Sequence, residues 1–195
     1  MQAEVMSDVG LHRDVMRKGA SIILSSGKSL YFDKPDPKVM DPDMIGLALA
    51  KLCRWTGQCL EFFSVAQHCV LVSKLVPEEH AMAGLMHDAS EAFIGDINRP
   101  LKFAMENSAP GVLRGIEDAL HEALAKRYGF QFPHDPCVKV ADNLSLATEK
   151  RDILPYDSTP WVGMPEPLEA PLRPVGPKGA YTMWMNRFEE LRGEL

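Results

Sequence analysis

Residues 21–32, "SIILSSGKSLYF", set two short apolar runs around a Ser-Gly-Lys turn, the pattern of a small hairpin at the edge of a fold. It is expected to be the only sheet. Downstream, apolar positions recur at helical spacing. Asp41-Pro42 supplies an N-cap and a first-turn proline, which predicts a helix from there to Gly57. Ser64 caps a second helix that continues until Pro77, with Val65, Cys69, Val72 and Val76 on one apolar stripe and His68 among them. A third helix covers about residues 78–92, contains "GLMHDASEA" and stops near Gly95. Pro100 disfavours helix at Arg99, so residues 96–102 read as a turn or loop.

A long amphipathic helix follows Pro110 and ends at Tyr128-Gly129, and Pro136 opens another that Pro155 halts. From Pro155 to Pro177 the chain is proline-rich and reads as an extended, irregular tail, after which "YTMWMNRFEELR" forms a last short helix that packs back. No internal repeat is visible. The expected fold is all-α with a small N-terminal β-hairpin, one domain over residues 1–195, with its core in 21–154 and the tail and terminal helix in 155–195.

Composition narrows the class of function. With 195 residues, 46% of them hydrophobic, the chain can bury a sizeable core without staples, so a metal here need not be structural. The net charge of −6 argues against a duplex nucleic-acid binder, whose phosphate contacts come from a basic face. Cys53, Cys59, Cys69 and Cys137 form no CxxC pair and no zinc-finger spacing; they read as reduced, buried small hydrophobes, which implies a reducing compartment. "MQAEVMSDVGLHRD" lacks the features of a signal peptide, and the longest apolar stretch, "MIGLALA", is too short to span a bilayer. A cytoplasmic protein with no membrane partner is expected.

Chemistry concentrates in four helix residues: His68, the adjacent His87-Asp88 pair, and Asp142. His68 lies on an apolar stripe, and Asp142 has Val138 four residues before it and Leu146 four after, so both side chains are expected to face inward. A buried, unpaired carboxylate costs several kcal/mol or is forced to protonate, so inward acids and histidines on different helices suggest convergence on a cation. Each of these residues taken alone is more often a hydrogen-bonded core residue. Together they form a mixed nitrogen and oxygen set that suits one divalent transition metal, Zn, Co, Mn, Ni or Fe. Four protein ligands leave open positions on an octahedral ion.

The order H…HD…D, with the blocks "FFSVAQHCVLV", "LMHDASEAFIGDINRPLK" and "VKVADNLSLATEKRDIL", resembles the HD-domain metal-dependent phosphohydrolases. Within them it is similar to the branch of 5′-deoxynucleotidases and phage deoxynucleotide triphosphohydrolases, over roughly residues 21–154. The resemblance implies an HD-type helical bundle, His68, His87, Asp88 and Asp142 as metal ligands, and catalytic roles beside the metal for Glu91 and Asp96. Glu91 is four residues after His87 and three after Asp88, which on one helix places it next to the metal; otherwise it is an exposed acid near a helix C-terminus. Arg99 and Lys102, in the loop after Asp96, are candidate phosphate clamps, with Lys139 and Lys51 as further cations. Arg54 enters by family likeness. Trp55 beside it either stacks on a nucleobase or packs in the core.

The implied substrate is a small-molecule nucleotide, hydrolysed at its 5′ position, with a purine deoxynucleoside triphosphate of the dATP type favoured and a deoxynucleoside monophosphate as the alternative. A metal-stabilised nucleotide-binding module without turnover is the reading from another class. Some HD-type proteins hold two irons and oxygenate, which requires extra histidines. His121 and His134 fall between the HD pair and Asp142 but in no such motif, so one protein-built site is expected, with a second ion such as Mg or Co carried in by substrate phosphates. Relatives of this type assemble, and a homo-oligomer is expected.

Overall fold

Two three-residue strands, β1 (Ser21–Ile23) and β2 (Ser29–Tyr31), pair antiparallel with Ile22 opposite Leu30, and Gly27 turns the chain between them at φ 78°. The computed structural model describes residues 20–159 and 161–193, so the leader-peptide reading of the first residues lies outside it. Among the described residues this is the one sheet, and the rest is mostly helical.

Helix α1 (Pro42–Lys51) starts where the proline and Asp41 place it, although the Asp41 carboxylate accepts from Arg127 Nη2 at 2.6 Å and makes no cap bond. The helix ends at Lys51, short of the expected Gly57. Residues Arg54–Gly57 form a separate tight turn in which Trp55 (φ 59°) and Thr56 (φ 54°) are both left-handed, a backbone that a continuing helix excludes. Helix α2 (Val65–Leu75) is capped as expected, with Ser64 Oγ accepting from Gln67 N at 3.1 Å.

The expected continuous helix over 78–92 is broken. Helix α3 (Ala81–Met86) gives way to a turn at His87–Ser90 before the short α4 (Glu91–Ile94). Across the break the backbone bonds tighten to three-residue spacing: Ala89 N to Met86 O, Glu91 N to Asp88 O and Phe93 N to Ser90 O. Such tightening takes the His87 carbonyl out of the helical ladder, and His121 Nε2 donates to it at 2.8 Å. The His87-Asp88 pair thus sits on a shoulder of backbone held from another helix.

The reading of residues 96–102 as loop is also corrected. Asn98 Oδ1 accepts from Leu101 N at 3.0 Å and starts α5 (Arg99–Ser108), with Pro100 in the first turn, where a missing N–H costs nothing. Helix α6 (Val112–Tyr128) ends at Gly129 in the left-handed conformation and α7 (Pro136–Asp152) opens at Pro136, both as expected, and Asp135 caps α7 by accepting from Cys137 N at 2.9 Å. Residues 155–159 and 161–176 are irregular, and α8 (Pro177–Gly193) packs against α1 and α2. Its Trp184 is fully buried and stacks on Phe188 at 5.6 Å, and Gly46 of α1 lies so close that an added Cβ would stand 2.7 Å from Trp184 Cε3. No described helix is long and apolar enough to cross a membrane.

Candidate metal centre and cavity

Helices α2 and α7 and the α3 shoulder bring the quartet His68, His87, Asp88 and Asp142 together, with ligand atoms of His68, His87 and Asp142 all within 4.8 Å of one another and Asp88 beside the two histidines. His68 Nε2 lies 3.1 Å from His87 Nε2, 3.4 Å from Asp88 Oδ2 and 3.4 Å from Asp142 Oδ1, and His87 Nε2 lies 3.3 Å from Asp88 Oδ2. The outer nitrogens fix the tautomers. His87 Nδ1 donates to the Gly84 carbonyl at 2.8 Å, and His68 Nδ1 donates to Glu149 Oε1 at 2.7 Å with Ser145 Oγ at 3.0 Å. Each Nε2 of a neutral ring is then a lone pair.

Two lone pairs and two carboxylate oxygens face one another, and acceptors alone repel. Something positive must sit among them. With protein groups only, both rings are held protonated, with pKa values raised to about 9. For His68, burial and Arg54 oppose the charge, but Glu149 and Asp142 outweigh them; for His87, burial opposes it and Asp88 and Asp142 win. Asp88 and Asp142 stay ionised despite burial because His87 and His68 lie against them. A divalent cation satisfies the same four atoms without added protons, and the residues present fit one.

Behind the quartet lies a network that the sequence reading did not single out. Glu149 is fully buried and kept ionised, its pKa lowered to about 2 against its burial by Arg54 and His68. Its Oε2 accepts from Arg54 Nε at 3.2 Å and from Trp55 Nε1 at 2.9 Å, and Arg54 Nη1 reaches Asp88 Oδ2 at 3.4 Å. The left-handed turn at Trp55 and Thr56 is what aims both side chains inward. A signal for Glu149 was present: Asp142, Ser145 and Glu149 are spaced i, i+3, i+7 and share one face of α7.

A cavity of about 600 Å³ opens beside the quartet, within the range of small-molecule sites. Six residues proposed from the sequence for catalysis or substrate contact line it: Glu91, Asp96, Arg54, Trp55, Arg99 and Lys102. Lys139 joins them; Lys51, exposed at the end of α1, does not. Arg99 Nη2 and Lys139 Nζ both donate to Asp142 Oδ2, at 2.9 and 2.6 Å, while Lys102 pairs with Glu117 at 2.8 Å. Glu91 is buried, and burial together with Asp88 and Asp96 pushes its pKa well above the carboxylate range. Asp96 is shifted upward chiefly by its own burial. Glu91 Oε2 and Asp96 Oδ2 are both buried without a hydrogen-bond partner.

Trp161, from the proline-rich tail, also lines the cavity, its ring 5.7 Å from that of Trp55. No periodicity or motif pointed to it. A second recess of about 260 Å³ touches His87, Asp88 and Asp142 and includes His134, whose two ring nitrogens are buried and unpartnered. His121 is committed to the His87 carbonyl.

The expectation that the cysteines are buried holds for Cys69 alone. Its sulfur clusters with His87 and Asp88, but burial pushes the thiol pKa far up, so it stays protonated. Cys53 and Cys59 are partly exposed, with sulfurs 3.5 Å apart, and the partly exposed Cys137 groups with His80 and Asp135 in a second set able to hold a metal ion.

No family model matches this sequence. It is 37% identical over 169 residues to the uncharacterized protein YfdR of Escherichia coli K12, covering 85% of this chain and 92% of that protein. The chain belongs to the YfdR family. An uncharacterized protein of Rhodobacter capsulatus is 30% identical over 159 residues, covering 73% of this chain and 79% of that protein. The names of these two relatives of the YfdR-family chain specify no activity.

Proposed function

We propose that this YfdR-family chain is a metal-dependent phosphohydrolase of the HD-domain type that acts at the 5′ position of a deoxynucleotide. The observation that carries the reading is the convergence of four acceptor atoms, from His68, His87, Asp88 and Asp142, on the edge of a cavity that also holds two partnerless buried carboxyl oxygens. A divalent cation bound there supplies the positive charge that a phosphoryl group needs before water attacks it.

The chain's own groups supply the rest. Glu91, pushed toward its protonated form, has an Oε2 with no protein partner, so it can exchange a proton with water or with a leaving oxygen. Asp96 Oδ2, also buried and partnerless, would orient the same groups. Arg99 and Lys139 are held at the cavity by Asp142 and are cations available to phosphate oxygens. Arg54 and Glu149 position Asp88 and His68. A mere binding module has little reason to bury two partnerless carboxyls beside a site whose charge four ligands already balance.

Four cations line the cavity, Arg54, Arg99, Lys102 and Lys139, and support a deoxynucleoside triphosphate as the favoured substrate, with the purine base taken from the likeness to the phage enzymes. The monophosphate is the alternative, and the pairing of Lys102 with Glu117 favours it, because that charge is already partly used. The test is chromatography of products from a panel of deoxy- and ribonucleoside mono- and triphosphates, with Mn, Co, Zn or Mg supplied. Intact triphosphate released from a deoxynucleotide, or orthophosphate from a monophosphate, is the expected result. No turnover with any pair would overturn the reading.

A further inference from the structure

The proline-rich tail does more than connect α7 to α8. It is fastened to α7 at spaced points: Lys150 Nζ donates to Thr159 O at 3.0 Å, Leu168 N donates to Thr148 Oγ1 at 3.0 Å, and Leu172 N donates to Asp152 Oδ2 at 2.7 Å. Between the first two anchors the strap carries Trp161 and Met164, and both side chains line the cavity. Farther on, Gln67 of α2 clamps the strap, donating to Arg173 O at 2.7 Å and accepting from Val175 N at 3.0 Å. Helix α2 is also the helix of His68, so the strap and the metal quartet share one frame.

Trp161 is positioned with some care for an otherwise irregular segment. The Lys150 ammonium lies 4.4 Å from the ring centroid, and the Trp55 ring stands at 45° to it, so the two indoles are splayed and not stacked on each other. Leu146 and Leu154 add apolar surface to the same cavity. Along α7, Asp142 of the quartet and Lys150 beneath Trp161 are separated by eight residues, or about 12 Å at the helical rise. That is the reach of a phosphorylated nucleoside and exceeds that of inorganic phosphate alone.

An apolar, aromatic end therefore faces the same cavity as the charged quartet, and a planar ring joined to a phosphate matches both. We propose that Trp161, with Trp55 and Met164, forms the nucleobase subsite, and that Trp161 is the residue of the tail that discriminates nucleotides from base-free phosphate esters. This rests on the phosphohydrolase reading above. A base stacked on an aromatic ring contributes about 1–3 kcal/mol, which changes affinity about 5- to 150-fold.

The test compares wild type, Trp161→Ala and Trp161→Phe in the full chain, with metal content and unfolding midpoint measured for each. The ratio of kcat/KM for a deoxynucleoside monophosphate to that for 2-deoxyribose 5-phosphate is expected to fall about fivefold or more in Trp161→Ala and to be largely kept in Trp161→Phe. Equal losses on both substrates, or no loss on either, would overturn the proposal. Calorimetric binding of deoxyadenosine provides a readout independent of turnover. Binding by wild type that Trp161→Ala weakens supports the subsite even if no nucleotide is hydrolysed, in which case only the hydrolase reading fails. Wild type that binds no nucleoside, or Trp161→Ala that binds it as tightly, overturns the subsite itself.

Discussion

His68 Nε2 and His87 Nε2 face each other at 3.1 Å, each on a ring whose other nitrogen already donates elsewhere. Two histidines could share a proton at that distance, but Asp88 and Asp142 press against the same point and add two more acceptors. The arrangement could hold a cation, and the elements that produce it are distinct: a capped helix, a broken helix and a long helix that runs across both.

Glu149 is the residue that fixes the proton of His68. Glu149→Gln keeps the shape but removes the charge that holds the Nδ1 hydrogen, and loss of such a partner typically weakens metal affinity about 10–100-fold. Competition against a chromophoric chelator at neutral pH measures it, and unchanged affinity would count against the network.

Glu91 separates turnover from binding. Glu91→Gln cannot accept a proton, so turnover on the best nucleotide is expected to fall about 10²- to 10⁴-fold while metal content stays at the wild-type level. An active variant would remove Glu91 from the mechanism.

Gly46 admits no side chain because Trp184 is fully buried and stacked on Phe188. Gly46→Ala forces α1 and α8 apart, and a loss of about 1–3 kcal/mol is expected from overpacking, against the small gain in helix propensity. Urea denaturation reads it; a variant as stable as wild type would mean that the indole shifts freely.

His134 gives the fold an acid-side weakness. Burial, with His87 nearby, lowers its pKa from 6.5 to about 4, so the folded chain refuses a proton that the unfolded chain accepts between those values. Its contribution is intact above pH 6.5 and lost as the pH falls toward 4. The urea midpoint of His134→Gln is expected to fall less between neutral and mildly acidic pH than that of wild type; equal slopes would assign the acid sensitivity to other groups.

Periodicity and caps made much of the fold legible. The hairpin, the Ser64 cap and the ends of α6 and α7 follow from local rules that tertiary contacts do not override. Pro100 misled because proline in a first turn is tolerated and Asn98 supplies the cap. The break at His87 was not legible, since nothing local marks it. The His121 bond to the His87 carbonyl, which comes from a helix far along the chain, favours the tightened turn. His68 and Asp142 could be assembled from sequence because each sits on an inward helix face, whereas His87 and Asp88, which lie in the turn after α3, came from the likeness of the motif order. Glu149 could have been found by the same spacing. Trp161 could not, because the path of an irregular tail is set by scattered side-chain bonds and not by any period.

The most direct measurement is the metal content of the full chain after incubation with Mn, Co or Zn and removal of loosely held ions, for wild type, His87→Ala and Asp142→Ala, with folding checked by circular dichroism. One tightly held ion per chain is expected in wild type and its loss in each folded variant. Wild type that retains no ion, or variants that keep it, would contradict the assignment of His68, His87, Asp88 and Asp142 as a metal centre.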